Sequence, residues 1–111
     1  MTRSVNVVAS RKRRKKILKQ TKGYYGRRKN VWTVAKNAYE RAKKYSYRDR
    51  RNKKRNFKSL WIQRINAAVR EHGYTYSSVI SKMLAKGKDI NRKTLSNIAM
   101  NDNEGLTKLL T

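Results

Sequence analysis

Residues 31–72 contain neither glycine nor proline. Nothing in that stretch stops a helix, and a continuous one would reach about 60 Å at the standard rise. That exceeds the diameter of a small domain. Proline is absent from the whole chain, and the five glycines fall mostly at breaks in helical patterning. The fold class expected is therefore all-α, with few turns. It comprises a long basic helical N-terminal extension over residues 1–58, hinged near 23–30, and a small globular helical domain over residues 59–111.

Charge separates these two parts. Residues 1–58 hold 23 Lys and Arg against two acids, a net +21, whereas residues 59–111 hold 8 against four, a net +4. Self-repulsion on the scale of +25 over 111 residues opposes compaction unless a polyanion neutralises it, and phosphate backbones are the densest biological polyanion. The basic part has too little apolar surface for a core of its own, so the core belongs late in the chain. With no cysteine and a single histidine, disulfides and thiolate metal sites are excluded, and neither a metal nor another cofactor is expected. No apolar run approaches the length of a signal peptide or membrane span. The default compartment is the cytosol.

Local patterning gives five helical segments. Residues 1–8 read as an extended arm, and Ser10 as the cap of a first helix running to about Lys22, where Gly23 and Gly26 interrupt it. Val31, Ala35, Ala38, Ala42 and Tyr45 then form a narrow stripe of small residues that allows close approach. Residues 47–58 have no stripe. Arg50 and Lys54, Arg51 and Arg55, and Lys54 and Lys58 set like charges one turn apart, at about 0.2–0.5 kcal/mol per pair. Asp49 with Lys53 and Glu40 with Lys44 offset little of this, so firm helix is expected there only among phosphates. Phe57, Leu60, Trp61, Ile65, Ala68 and Val69 share one face, and Trp61 and Phe57 are expected in the core. Trp61→Ala would then cost about 3–5 kcal/mol. Gly73 and Gly87 are stops. Thr75 or Ser77 caps a helix bearing Val79, Ile80, Met83 and Leu84. Asn91 caps the next, with Ile90 and Leu95 as a hydrophobic staple, and Asn101 with Glu104 begins a last helix carrying Leu106, Leu109 and Leu110.

The residues suited to chemistry are cations and flat rings. Arg11, Lys12, Arg13, Arg14, Lys15 and Lys16 are six consecutive cations, a clamp for backbone phosphates. The bland alternative is a solvated tail. Repetition favours the clamp: Arg27, Arg28 and Lys29 follow, then Lys43 and Lys44, then Arg48, Arg50, Arg51, Lys53, Lys54, Arg55 and Lys58. Arg3, Lys19 and Lys22 join this RNA-binding set, and so do Arg64 and Arg92 from the late domain. Arg70 is weighed nearly evenly as surface. Tyr24, Tyr25 and Trp32 suit stacking on unpaired bases. For Trp32, and for Tyr39 and Tyr45 beyond it, packing on a neighbour is an equal reading. His72, beside Gly73, fits a helix C-terminus better than a catalytic centre. There is no phosphate loop, no Ser-His-Asp arrangement and only two acids in the whole basic part, so the chain is not expected to be an enzyme. A DNA-compacting architectural protein shares the composition. A cationic membrane-active helix shares it too, but needs one wide apolar face, which residues 9–58 lack.

Four blocks carry a more specific signal: Lys15-Lys16-Ile17-Leu18-Lys19-Gln20, Lys22-Gly23-Tyr24-Tyr25-Gly26, Tyr47-Arg48-Asp49-Arg50-Arg51, and Leu60-Trp61-Ile62 with Arg64-Ile65-Asn66-Ala67-Ala68. In order and spacing they resemble the large-subunit ribosomal protein family "L twenty" of bacteria and organelles, over essentially the whole chain. The resemblance implies a basic extension threaded into large-subunit (23S) ribosomal RNA and a small helical domain on the subunit surface, within the ribosome in the cytoplasm. It implies neighbouring large-subunit ribosomal proteins as partners, with no membrane and no small-molecule substrate. It also implies a role in early subunit assembly and, in some members, repression of translation of their own messenger RNA. Residues 4–14 depart from the family pattern in detail, and the C-terminus stops soon after Leu110. The likeness begins within a few residues of Met1, which leaves no room for an organellar presequence, so a bacterial or processed chain is expected.

Overall fold

The computed structural model describes residues 5–111, and Arg3 lies outside them. The described residues form five α-helices and one short 3₁₀ turn, without a strand. These are α1 (Val7–Gln20), the turn Gly26–Arg28, α2 (Trp32–Glu71), α3 (Tyr76–Ala85), α4 (Arg92–Asn101) and α5 (Asn103–Leu110). The all-α expectation holds, and α2 spans 40 residues. The chain divides into two compact units between Arg50 and Arg51.

The later unit contains the main core. Ile65 and Val69 of α2, Val79 and Met83 of α3, Leu95 of α4, and Leu106 and Leu110 of α5 are buried together. In α2, α3 and α5 each pair is four residues apart, one turn of helix on a single face. Ile90 packs against this cluster just ahead of the α4 cap, as the staple with Leu95 requires. Caps fix where the helices start. The Thr75 hydroxyl accepts from the Ser78 backbone N–H and the Ser78 hydroxyl from that of Thr75, a reciprocal box. Asn91 Oδ1 accepts from the Lys93 N–H at 3.0 Å. The last helix departs from expectation: its cap is Asp102, whose Oδ1 accepts from the Gly105 N–H at 2.8 Å, while Asn101 ends α4. A carboxylate at this position also meets the positive end of the helix.

The stop after α2 is a paired closure. The Tyr74 N–H donates to the Val69 carbonyl and the Gly73 N–H to that of Arg70, both at 3.0 Å. This reversal needs a left-handed residue, and Gly73 has φ 79°, which costs glycine nothing. α3 ends likewise, with Lys88 donating to Met83 and Gly87 to Leu84.

Two apolar expectations are corrected. Trp61 is only half-buried and stands outside the core cluster. Phe57 is 43% exposed. Helical period puts Phe57 and Trp61 in line with Ile65, but the row that α2 contributes to this core begins at Ile65. The two rings lean on each other instead, with centroids 6.1 Å apart.

Ser96 is fully buried beside Leu95, and its hydroxyl has no hydrogen-bond partner. Burying an unsatisfied hydroxyl costs about 1–3 kcal/mol, and alanine fits the same space with a higher helix propensity. Ser96→Ala will therefore stabilise the protein by about 1 kcal/mol, seen as a higher urea midpoint at constant slope. A lower midpoint would show that the hydroxyl is satisfied in solution.

In the earlier unit α1 starts ahead of expectation. Asn6 stands before it with φ 63° and makes no side-chain cap bond, while the Ser10 N–H donates to the Asn6 carbonyl at 3.0 Å. Ser10 thus lies in the first turn and is not the cap, and Val7 and Val8 are helical, not part of an extended arm. Asparagine is among the few residues that tolerate this left-handed conformation. α1 buries no residue completely. Among the described residues of this unit, Thr21 and Ala35 are fully buried.

Candidate nucleic-acid interface

Every described Lys and Arg is exposed. α1 carries Arg11, Lys12, Arg13, Arg14, Lys15, Lys16 and Lys19, Lys22 follows it, and the 3₁₀ turn with its cap carries Arg27, Arg28 and Lys29. α2 carries Arg48, Arg50, Arg51, Lys53, Lys54, Arg55, Lys58 and Arg64. A helix with cations on so many successive positions presents charge all round, which suits a rod surrounded by phosphate and not one lying on a flat surface.

Some of these cations are already positioned. The Arg14 guanidinium lies 5.7 Å from the Trp32 ring centroid, which brings α1 side chains to the first residue of α2. Trp32 is half-buried, so one of its faces already serves packing. Arg48 sits 4.6 Å from the Tyr45 centroid and pairs with Asp49 at 2.9 Å. Arg50 bonds the Ser46 hydroxyl. In the later unit Arg92 Nε donates to the Tyr76 hydroxyl at 2.8 Å, which holds the side chain while its two terminal nitrogens stay available for an anion. Arg70 Nε donates to Asn66 Oδ1 at 3.3 Å. The same oxygen accepts from the Tyr76 N–H, also at 3.3 Å. His72 caps the C-terminal end of α2 and reaches Asn103 across the bundle at 3.0 Å, a structural tie.

The hinge between α1 and α2 is built by a residue that sequence reasoning passed over. Thr21 Oγ1 lies 3.1 Å from the Leu18 carbonyl and 3.1 Å from the Lys29 carbonyl, so one hydroxyl proton is shared between the end of α1 and the far side of the turn. Tyr24 N–H returns to the Thr21 carbonyl at 3.1 Å. Gly23 and Gly26 have φ 90° and 57°, and a Cβ on either would meet nothing within 4 Å. These glycines are required for backbone conformation, not for room inside the protein. Between them Tyr24 is half-buried and Tyr25 is 90% exposed. Sequence reasoning also missed Asn37 and Arg41, which share a groove with these tyrosines. The signal was present: positions 37, 41 and 45 repeat every four residues beside 34, 38 and 42, two adjacent rows on α2.

Among the described residues there is no group of three or more His, Cys, Asp or Glu able to hold a metal. No described helix is long and apolar enough to cross a membrane. Exposed cations on helices, with rings set among them, are the surface of a polyanion-binding protein. The particular kind follows from its relatives. The family model described as Ribosomal protein L20 matches residues 3–109. The large ribosomal subunit protein bL20 of Flavobacterium johnsoniae is 60% identical over 110 residues, spanning 99% of this chain and 96% of that protein. That of Parabacteroides distasonis is 58% identical over 110 residues, 99% and 96% respectively, and that of Bacteroides thetaiotaomicron 62% over 104 residues, 94% and 90%. This chain belongs to the ribosomal protein L20 family. It is a structural constituent of the ribosome and not an enzyme.

Proposed function

We propose that this protein binds the 23S RNA of the large ribosomal subunit in the cytoplasm and promotes early assembly of that subunit. In this reading residues 1–58 supply reach and charge neutralisation, residues 59–111 supply the specific docking, and other large-subunit proteins are its neighbours. The observation that carries the reading is that all described cations are exposed on a chain of net charge +25, with rings set among them. Cations alone would serve DNA equally well, but an exposed tyrosine at a preformed turn, Tyr25, favours RNA, whose loops and bulges offer unstacked bases.

The test has two arms. Purified large subunits should contain the chain in stoichiometric amount. In competition at physiological salt, a 23S RNA transcript should displace it from duplex DNA of equal length, whereas equal affinity for the two would favour a DNA-compacting protein. Absence of the chain from intact subunits would sink the proposal.

A further inference from the structure

We infer that the groove between the turn at residues 24–28 and the first half of α2 is a subsite for a single unstacked RNA nucleotide. Its base would lie against Tyr25 and Tyr45 and its phosphate on Arg28 and Arg41. The inference rests on the RNA-binding reading above and names the chemical group that one part of the surface takes.

The groove is open to solvent and offers about 640 Å³, a volume within the range of sites for small molecules. Its floor is a row of small side chains on α2, Val34, Ala38 and Ala42, and its wall is the next row, Asn37, Arg41 and Tyr45. Tyr24, Tyr25 and Arg28 face these from the turn. No acid is among its described lining residues. Alanines four residues apart leave room for a flat group to approach the helix. Tyr25, 90% exposed, leaves almost its whole ring unburied, while the Asn37 amide both donates and accepts, as a base edge requires. Two guanidiniums supply bidentate donors for phosphate. A helix or side chain of a protein partner would cover the apolar floor, but it would leave these two cations without an anion. Preorganisation is also present. The shared Thr21 hydroxyl and the left-handed glycines on either side of Tyr24 and Tyr25 hold the turn before any ligand arrives, which lowers the ordering cost of binding.

The test uses the full chain and a 23S RNA transcript, with affinity measured across salt for the wild type, Tyr25→Leu, Tyr25→Phe and Arg41→Gln. Stacking of one base predicts that Tyr25→Leu weakens binding about 5- to 150-fold with an unchanged salt slope, since no phosphate contact is lost. Tyr25→Phe keeps the ring and should bind as wild type. Arg41→Gln should flatten the salt slope by roughly one phosphate. On a perfectly paired RNA duplex, Tyr25→Leu should equal the wild type. The subsite is overturned if Tyr25→Leu binds the transcript as tightly as wild type, or loses affinity equally on the duplex. Cross-linking of position 25 to a neighbouring protein in assembled subunits would also overturn it. Failure of the wild type itself to bind the transcript would instead overturn the RNA-binding reading and this subsite with it, so the two failures are distinguishable.

Discussion

Raising monovalent salt from about 50 to about 200 mM will weaken binding of the full chain to a 23S RNA fragment by about 10³- to 10⁴-fold. The estimate follows from counterion release: engagement of about eight phosphates, at about 0.7–0.9 released ions each, gives a log–log slope near −6 or −7. Eight is a modest demand on a chain whose residues 1–58 hold 23 Lys and Arg, every described one of them exposed. Internal pairing removes little of this charge. Asp49 takes Arg48 as its partner at 2.9 Å, and both side chains are more than half exposed, a pair of little energetic weight in water. The measurement is a titration of affinity against salt with one RNA fragment. A slope near zero would mean that recognition is carried by contacts other than phosphate, and the role assigned to the basic part would be wrong.

Much of this fold was legible because its signals are local. The break-free stretch after Val31 marks α2, Gly73 and Gly87 mark its end and that of α3, and residue type alone marks Asn91 as a cap and leaves Thr75 one of two candidates for another. The misplacements have physical causes. Ser10 looked like a cap because serine is a good one, but Asn6 accepts the left-handed conformation and lets the helix begin four residues sooner. Asn101 and Asp102 are both capping residues, and only the geometry of the α4 to α5 corner selects the second. Period alone places Trp61 on the core face. Period reports which residues share a face, not how far along that face the neighbouring helices reach. The candidate site divides in the same way. The cations and Tyr24–Tyr25 were visible in the sequence, whereas Thr21, Asn37 and Arg41 acquire meaning only when the turn is folded back toward α2.

Leu106→Ala will unfold the later unit near physiological temperature, whereas Trp61→Ala will leave it folded. Leu106 is fully buried in α5 and belongs to the cluster contributed by four helices. Replacing such a leucine by alanine costs about 2–5 kcal/mol through lost transfer energy and the cavity left behind. The unit comprises residues 51–111, and at the usual stability per residue a domain of that size holds about 3–9 kcal/mol, so one cavity can exhaust it. Trp61, half-buried and leaning on Phe57, forfeits part of its buried area and a tilted ring contact of about 0.5–1.5 kcal/mol. Thermal melts followed by circular dichroism will separate the two variants, with the transition for Leu106→Ala displaced downward much further. Equal losses would place Trp61 in the core after all. The same pair tests the division of labour proposed for the two parts of the chain. If residues 59–111 carry specific docking, Leu106→Ala will lose discrimination between 23S RNA and unrelated RNA. It will still keep a steep salt-dependent affinity for both, because the exposed cations before Ser59 do not depend on that core.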